Sequence, residues 1–148
     1  SAASDVYKRQ IIVGIKDSSG NWENTKSLLG IDDLIVYPGA ELPVIQAIKL
    51  GAPGCISATA NLNGGDISKV INFCHDNEWE KAEDLHKKVT KVRLLFQDYA
   101  PIPAQKGLLA KKTKISEWLN VRPPLKSIND DKVSELANTL NNEFGYSY

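Results

Sequence analysis

The apolar positions near the start form a short continuous run, Ile11-Ile12-Val13-Gly14-Ile15, the pattern of a strand buried on both faces. It breaks at Lys16-Asp17-Ser18-Ser19-Gly20. Asn21 is a good N-cap with Glu23 in the first turn, so a helix is expected to start there and to stop near Gly30. Leu34-Ile35-Val36 predicts a second strand, bounded by Pro38-Gly39, after which Pro43 opens a helix that Gly51 closes. Gly54-Cys55-Ile56-Ser57 predicts a third strand, released into a polar turn at Asn61-Leu62-Asn63-Gly64-Gly65. Strand, helix, strand, helix, strand with short loops implies a parallel sheet with right-handed crossovers.

Beyond Gly65 the period becomes helical. Ile67, Val70, Ile71 and Cys74 recur at helical spacing, and Ala82, Leu85, Val89, Val92 and Phe96 do so across 79–99. A helix is expected over 104–111 behind Pro103, an extended segment at Arg122-Pro123-Pro124-Leu125, and an amphipathic helix over 133–144 capped by Asp130 or Asp131. The first ten residues have no apolar period and read as a foreign or disordered tail. Residues 11–65 then form the α/β part and 66–148 the helical part.

Composition narrows the function classes. The chain has 148 residues, 42% hydrophobic and 24% charged, which is ordinary globular usage. Eighteen basic side chains balance eighteen acidic ones, and no basic run carries aromatics, which argues against a nucleic-acid partner. No apolar stretch approaches the roughly 20 residues of a membrane span. Cys55 and Cys74 form no CxxC, so neither a disulfide framework nor a metal site is expected, and a reducing, cytoplasmic setting follows.

Lys16 is the most informative residue. Strand alternation puts Ile12, Gly14 and Lys16 on one face, with the lysine at the carboxyl end of the strand, where α/β folds bind ligands. Partly desolvated there, it would have a lowered pKa and supply the neutral amine that attacks a carbonyl. The competing reading is a lysine that snorkels to solvent or pairs with a carboxylate. Asp17 points the other way and reads as an acceptor for loop amides. His75 and His86 read as solvated residues on polar helix faces. Cys55 lacks a basic neighbour that would make a thiolate, and Ser18-Ser19-Gly20 is a weak phosphate-cradle signal.

The segment Ile12-Val13-Gly14-Ile15-Lys16-Asp17-Ser18-Ser19-Gly20 resembles the Schiff-base strand of the dihydrodipicolinate synthase and N-acetylneuraminate lyase family, pyruvate-handling (β/α)8 barrels. Tyr37-Pro38-Gly39-Ala40-Glu41 resembles the end of that family's seventh strand, and residues 51–61, Gly-Ala-Pro-Gly-Cys-Ile-Ser-Ala-Thr-Ala-Asn, its eighth. Pro101-Ile102-Pro103-Ala104-Gln105 resembles part of its helical C-terminal extension. The resemblance implies an α/β fold made of the last three strand units, strands 6 to 8, of a TIM barrel plus that extension, a piece of the ~250 residues of a whole barrel.

The resemblance also implies roles. Lys16 becomes the imine-forming lysine. Gly39 and the main chain of Ile56 shape the pocket for the pyruvate-derived part of the intermediate. Glu41 supplies a carboxylate toward the distal part of the substrate, although a helix N-terminus favours an acid there for dipole reasons alone. No cofactor or metal is implied, because the imine nitrogen is itself the electron sink. The implied parent is a class I aldolase or lyase acting on a 2-oxo acid, dihydrodipicolinate synthase-like, and an oligomer. A 2-keto-3-deoxy sugar-acid aldolase or N-acetylneuraminate lyase is the alternative. The family's relay tyrosine, hydroxyl residues and carboxylate-binding arginine belong to strands not seen here, so the chain alone is expected to be inactive. Outside enzymes, a receiver-like signalling module shares Gly51-Ala52-Pro53-Gly54 before a strand, but its lysine and aspartates would stand at other strands.

Overall fold

The computed structural model describes residues 12–148. The tail expected over 1–10 and the first isoleucine of the opening run lie outside the described residues. Two strands, β1 (Gly14–Asp17) and β2 (Ile35–Pro38), pair in parallel from Gly14 opposite Ile35 to Asp17 opposite Pro38. Between them runs α1 (Trp22–Leu29), begun as expected by Asn21, whose side chain accepts from the Glu23 and Asn24 amides, and ended at Gly30. α2 (Val44–Lys49) follows Pro43. Then come α3 (Ala60–His75), α4 (Trp79–Leu95) with a 3-10 turn at Phe96–Asp98, α5 (Pro101–Thr113) and α6 (Asp130–Phe144).

The third strand does not form. Residues 52–57 run beside β2 but carry no ladder; what joins them to it is the Ile56 amide on the Pro38 carbonyl at 3.0 Å. A ladder needs successive bonds along several residues, and among the described residues the bond from Ile56 to β2 stands alone. Side-chain exposure also corrects the expectation of strands buried on both faces. Val13 is 69% exposed, Ile15 41% and Ile35 46%. A two-stranded sheet covers only the face on which its helices pack.

Three further expectations change. The polar stretch 61–65 is not a turn but the first part of α3, where Asn63 leaves helical geometry and kinks it. Residues 122–125 do not extend; they close a turn in which Leu125 N–H donates to the Arg122 carbonyl at 3.0 Å. Proline restricts the residue before it yet fits turn positions. The last helix is capped by Asn129, which accepts from the Lys132 amide, while Asp130 and Asp131 occupy the first turn and favour the positive end of the helix dipole.

Apolar side chains gather into two cores. Val44, Ile45, Ile67, Val70, Cys74, Ala82 and Val89 join α2, α3 and α4. Val92, Phe96, Ala104, Leu108, Val133, Leu136, Ala137 and Leu140 join the end of α4 to α5 and α6. α4 contributes to both cores, so it connects the α/β part to the C-terminal helices. Among the described residues, no helix is long and apolar enough to cross a membrane.

Candidate active site

The alternation read from sequence holds at the end of β1: Lys16 is exposed and Asp17 is buried. Asp17 is the acceptor it was expected to be. Its carboxylate takes the Thr25 hydroxyl at 2.6 Å and the Ser19 amide at 2.9 Å. The Thr25 hydrogen bond, opposed by burial and helped by the Ser19 amide, holds its pKa down at about 2. Ser19 in turn accepts from the Asn21 amide, so the Ser18-Ser19-Gly20 turn uses these donors internally. Lys16 is not desolvated by the described residues; the face on which it stands is open.

Hydrogen bonds and register bring Lys16, Gly39 and Ile56 onto neighbouring chain segments. Lys16 lies opposite Tyr37. Gly39 N–H donates to the Asp17 carbonyl at 2.6 Å, and a Cβ on Gly39 would stand 2.7 Å from that oxygen. Glycine is therefore required here by close backbone approach. Gly14, on the Lys16 face of β1, is needed for close approach to a neighbour, since its Cβ would meet the Ile35 carbonyl oxygen at 2.7 Å. Ile56 is exposed, with its amide on the Pro38 carbonyl.

Glu41 is fully buried. One carboxylate oxygen accepts from the Ser57 hydroxyl and the other from the Thr59 hydroxyl, and those hydroxyls lie 3.0 Å from each other. Its side chain thus faces protein, fastening the loop after β2 to the segment that carries Ile56. Cys55, in that segment, is pushed up to about 11 by burial and then by the Glu41 charge, which makes it a poor nucleophile.

His86 is not the solvated residue expected from sequence. It is half-buried, and its Nε2 lies 2.8 Å from the Glu41 carbonyl oxygen. A carbonyl only accepts, so a hydrogen bond at this contact requires the proton on Nε2. The signal was present in the spacing: Ala82, His86 and Val89 fall at i, i+4 and i+7, one face of α4. His75 is exposed, with Nε2 3.1 Å from the Pro53 carbonyl oxygen. Ser57 and Thr59 went unremarked because isolated hydroxyls carry no pattern.

A cavity of about 390 Å³ opens on the Asp17 side of the strand ends. Trp22, Pro38, Leu42, Pro43 and Arg93 line it, and Lys16 does not. Among the described residues, no three His, Cys, Asp or Glu side chains converge in a way that would hold a metal ion.

The chain is 31% identical over 140 residues to the 4-hydroxy-tetrahydrodipicolinate synthase of Methanosarcina mazei, covering 92% of this chain and 47% of that protein. It resembles the solved dihydrodipicolinate synthase of Agrobacterium tumefaciens with a TM-score of 0.68 at 26% identity, over 97% of this chain and 47% of that one. The fold is also that of part of the N-acetylneuraminate lyase of Fusobacterium nucleatum, with a TM-score of 0.77 at 19% identity, over 96% of this chain and 48% of that one. The chain spans about half the length of the curated relatives it matches. The α/β, helix-rich fold accordingly corresponds to part of a TIM-barrel fold. A match to one family model takes in both strand ends and the helices behind them, from residue 3 to residue 143, which decides against the receiver-like reading: the chain belongs to the dihydrodipicolinate synthetase family.

Proposed function

We propose that this chain supplies the imine-forming part of a pyruvate-dependent class I lyase or aldolase, with Lys16 as the catalytic residue. β1, β2 and residues 54–57 would be strands six to eight of an eight-stranded barrel, and α4 to α6 its C-terminal extension. One observation carries the reading. In a member of this family, the lysine stands on the open face at the carboxyl end of β1, with Gly39 and Ile56 bonded into the two adjacent chain segments.

The chemistry follows from that placement. The Lys16 amine adds to the keto carbon of a 2-oxo acid; water leaves and an imine forms. Loss of a proton from the adjacent carbon gives an enamine, which adds to an aldehyde, and the reverse sequence releases pyruvate. The main chain of Gly39 and the Ile56 segment would border the pyruvate-derived part. A dihydrodipicolinate synthase-like condensation is the leading reading because the Methanosarcina mazei relative carries that name. Ala40-Glu41 and Arg122-Pro123-Pro124-Leu125 depart from the best-known synthase pattern, which leaves a sugar-acid or other 2-oxo acid aldolase open as the second. The acid–base groups would come from other strands, and such help is worth roughly 10²–10⁴-fold, so the chain alone is expected to be inactive. Two free cysteines suit a reducing, cytoplasmic setting, and the whole protein is expected to be an oligomer.

The test is borohydride reduction with pyruvate, followed by peptide mass mapping, on the chain alone and combined with the N-terminal half of the Methanosarcina mazei synthase. The expected adduct is on Lys16 and appears on recombination. A recombined complex that runs as one species yet leaves Lys16 unmodified would overturn the proposal.

A further inference from the structure

Glu41 is held at both ends. Its carboxylate is buried against Ser57 and Thr59. Its carbonyl accepts from the Val44 amide at 3.1 Å, which starts α2, and from His86 Nε2 at 2.8 Å. Residue 41 is therefore a junction between the end of β2, the segment carrying Ile56, and α4. Gly39 lies two residues before it, bonded to Asp17 beside Lys16, and Ile56 lies one residue before Ser57. α4 is fixed in two cores at once, so what it holds through His86 is held rigidly.

We infer that His86 is a positioning residue: by donating Nε2–H to the Glu41 carbonyl it sets the main chain of 39–41 against the Ile56 segment, beside the strand end that carries Lys16. This rests on the reading of Lys16 as the imine former for its functional meaning. It assigns Glu41 to the framework of the pocket, acting through Ser57 and Thr59 in place of contact with the distal substrate. It also gives the C-terminal helices a role at the site from behind. The physical cause is the second acceptor site of a buried carbonyl, which the Val44 amide alone does not fill.

The experiment is amide hydrogen exchange and histidine ¹⁵N NMR on the 148-residue chain. Wild type is compared with His86→Leu, which fills similar space without a donor, with His86→Gln, which keeps an N–H donor, and with Lys87→Leu as an exposed control. In wild type, His86 is expected to show a protonated Nε2 tautomer. His86→Leu is expected to speed exchange of the Gly39 and Ile56 amides about fivefold beyond any global change, the factor matching one hydrogen bond. His86→Gln is expected to recover most of that protection, and Lys87→Leu to leave it unchanged. A wild-type His86 protonated only on Nδ1, unaltered protection in His86→Leu, or a glutamine no better than leucine would each overturn the inference. The tautomer decides even if a variant fails to fold. None of these readouts uses pyruvate, so a Lys16 that forms no adduct would remove the imine reading and leave this result standing.

Discussion

Replacing Gly39 with alanine puts a methyl carbon 2.7 Å from the Asp17 carbonyl oxygen and 3.1 Å from the Ser18 Cα. Ordinary contact begins near 3.4 Å, so the two main chains must part by about 0.7 Å. That movement stretches the 2.6 Å Gly39–Asp17 hydrogen bond to the edge of its range. Overpacking of this kind costs about 1–3 kcal/mol and a weakened hydrogen bond about 0.5–1.5 kcal/mol, so with overlap the loss is about 2 kcal/mol. The backbone of Gly39 is outside the left-handed region, which leaves sterics as the sole cause. In urea, with a slope near ~2 kcal/mol/M, the unfolding midpoint should fall by about 1 M. Tryptophan fluorescence follows the transition. The companion variant is Gly65→Ala, inside α3 with no atom within 4 Å of the new carbon, which should hold or raise the midpoint because alanine suits a helix better. A Gly39→Ala midpoint within about 0.2 M of wild type would refute the close-approach account.

Two other outcomes follow from titrating groups. The folded pKa of Asp17, at about 2, lies below its unfolded value, so its stabilisation is complete above pH 4 and is lost as pH falls toward 2. Wild type should lose about 1–2 kcal/mol more than Asp17→Asn over that window, read from urea midpoints at each pH; parallel curves would discount the Thr25 and Ser19 contacts. Cys55, raised to about 11, should alkylate with iodoacetamide at pH 8 at least ~10-fold slower in the folded chain than in urea, by peptide mass mapping. Equal rates would show that neither burial nor the Glu41 charge protects it.

Local sequence determined what short-range chemistry controls. Alternation along β1 separated exposed Lys16 from buried Asp17, because successive side chains leave a strand on opposite faces. Asn21 and Gly30 marked the ends of α1 because caps are satisfied within a few residues. Gly39 was singled out by the family resemblance, and it was the structure that showed its close approach to the Asp17 carbonyl. Tertiary structure decided the rest. Whether residues 54–57 become a strand depends on a neighbour distant in the chain, and one hydrogen bond to β2 does not make a ladder. Whether Glu41 faces a ligand or the protein depended on Ser57 and Thr59, sixteen and eighteen residues away. His86 was read from sequence as solvated on a polar face, although its spacing from Ala82 and Val89 puts it on the packed side of α4. Its meaning came from the Glu41 carbonyl, forty-five residues earlier, which packing of α4 against α2 and α3 brings within 2.8 Å. A buried polar group takes its role from the partner that satisfies it, and that partner is fixed by packing.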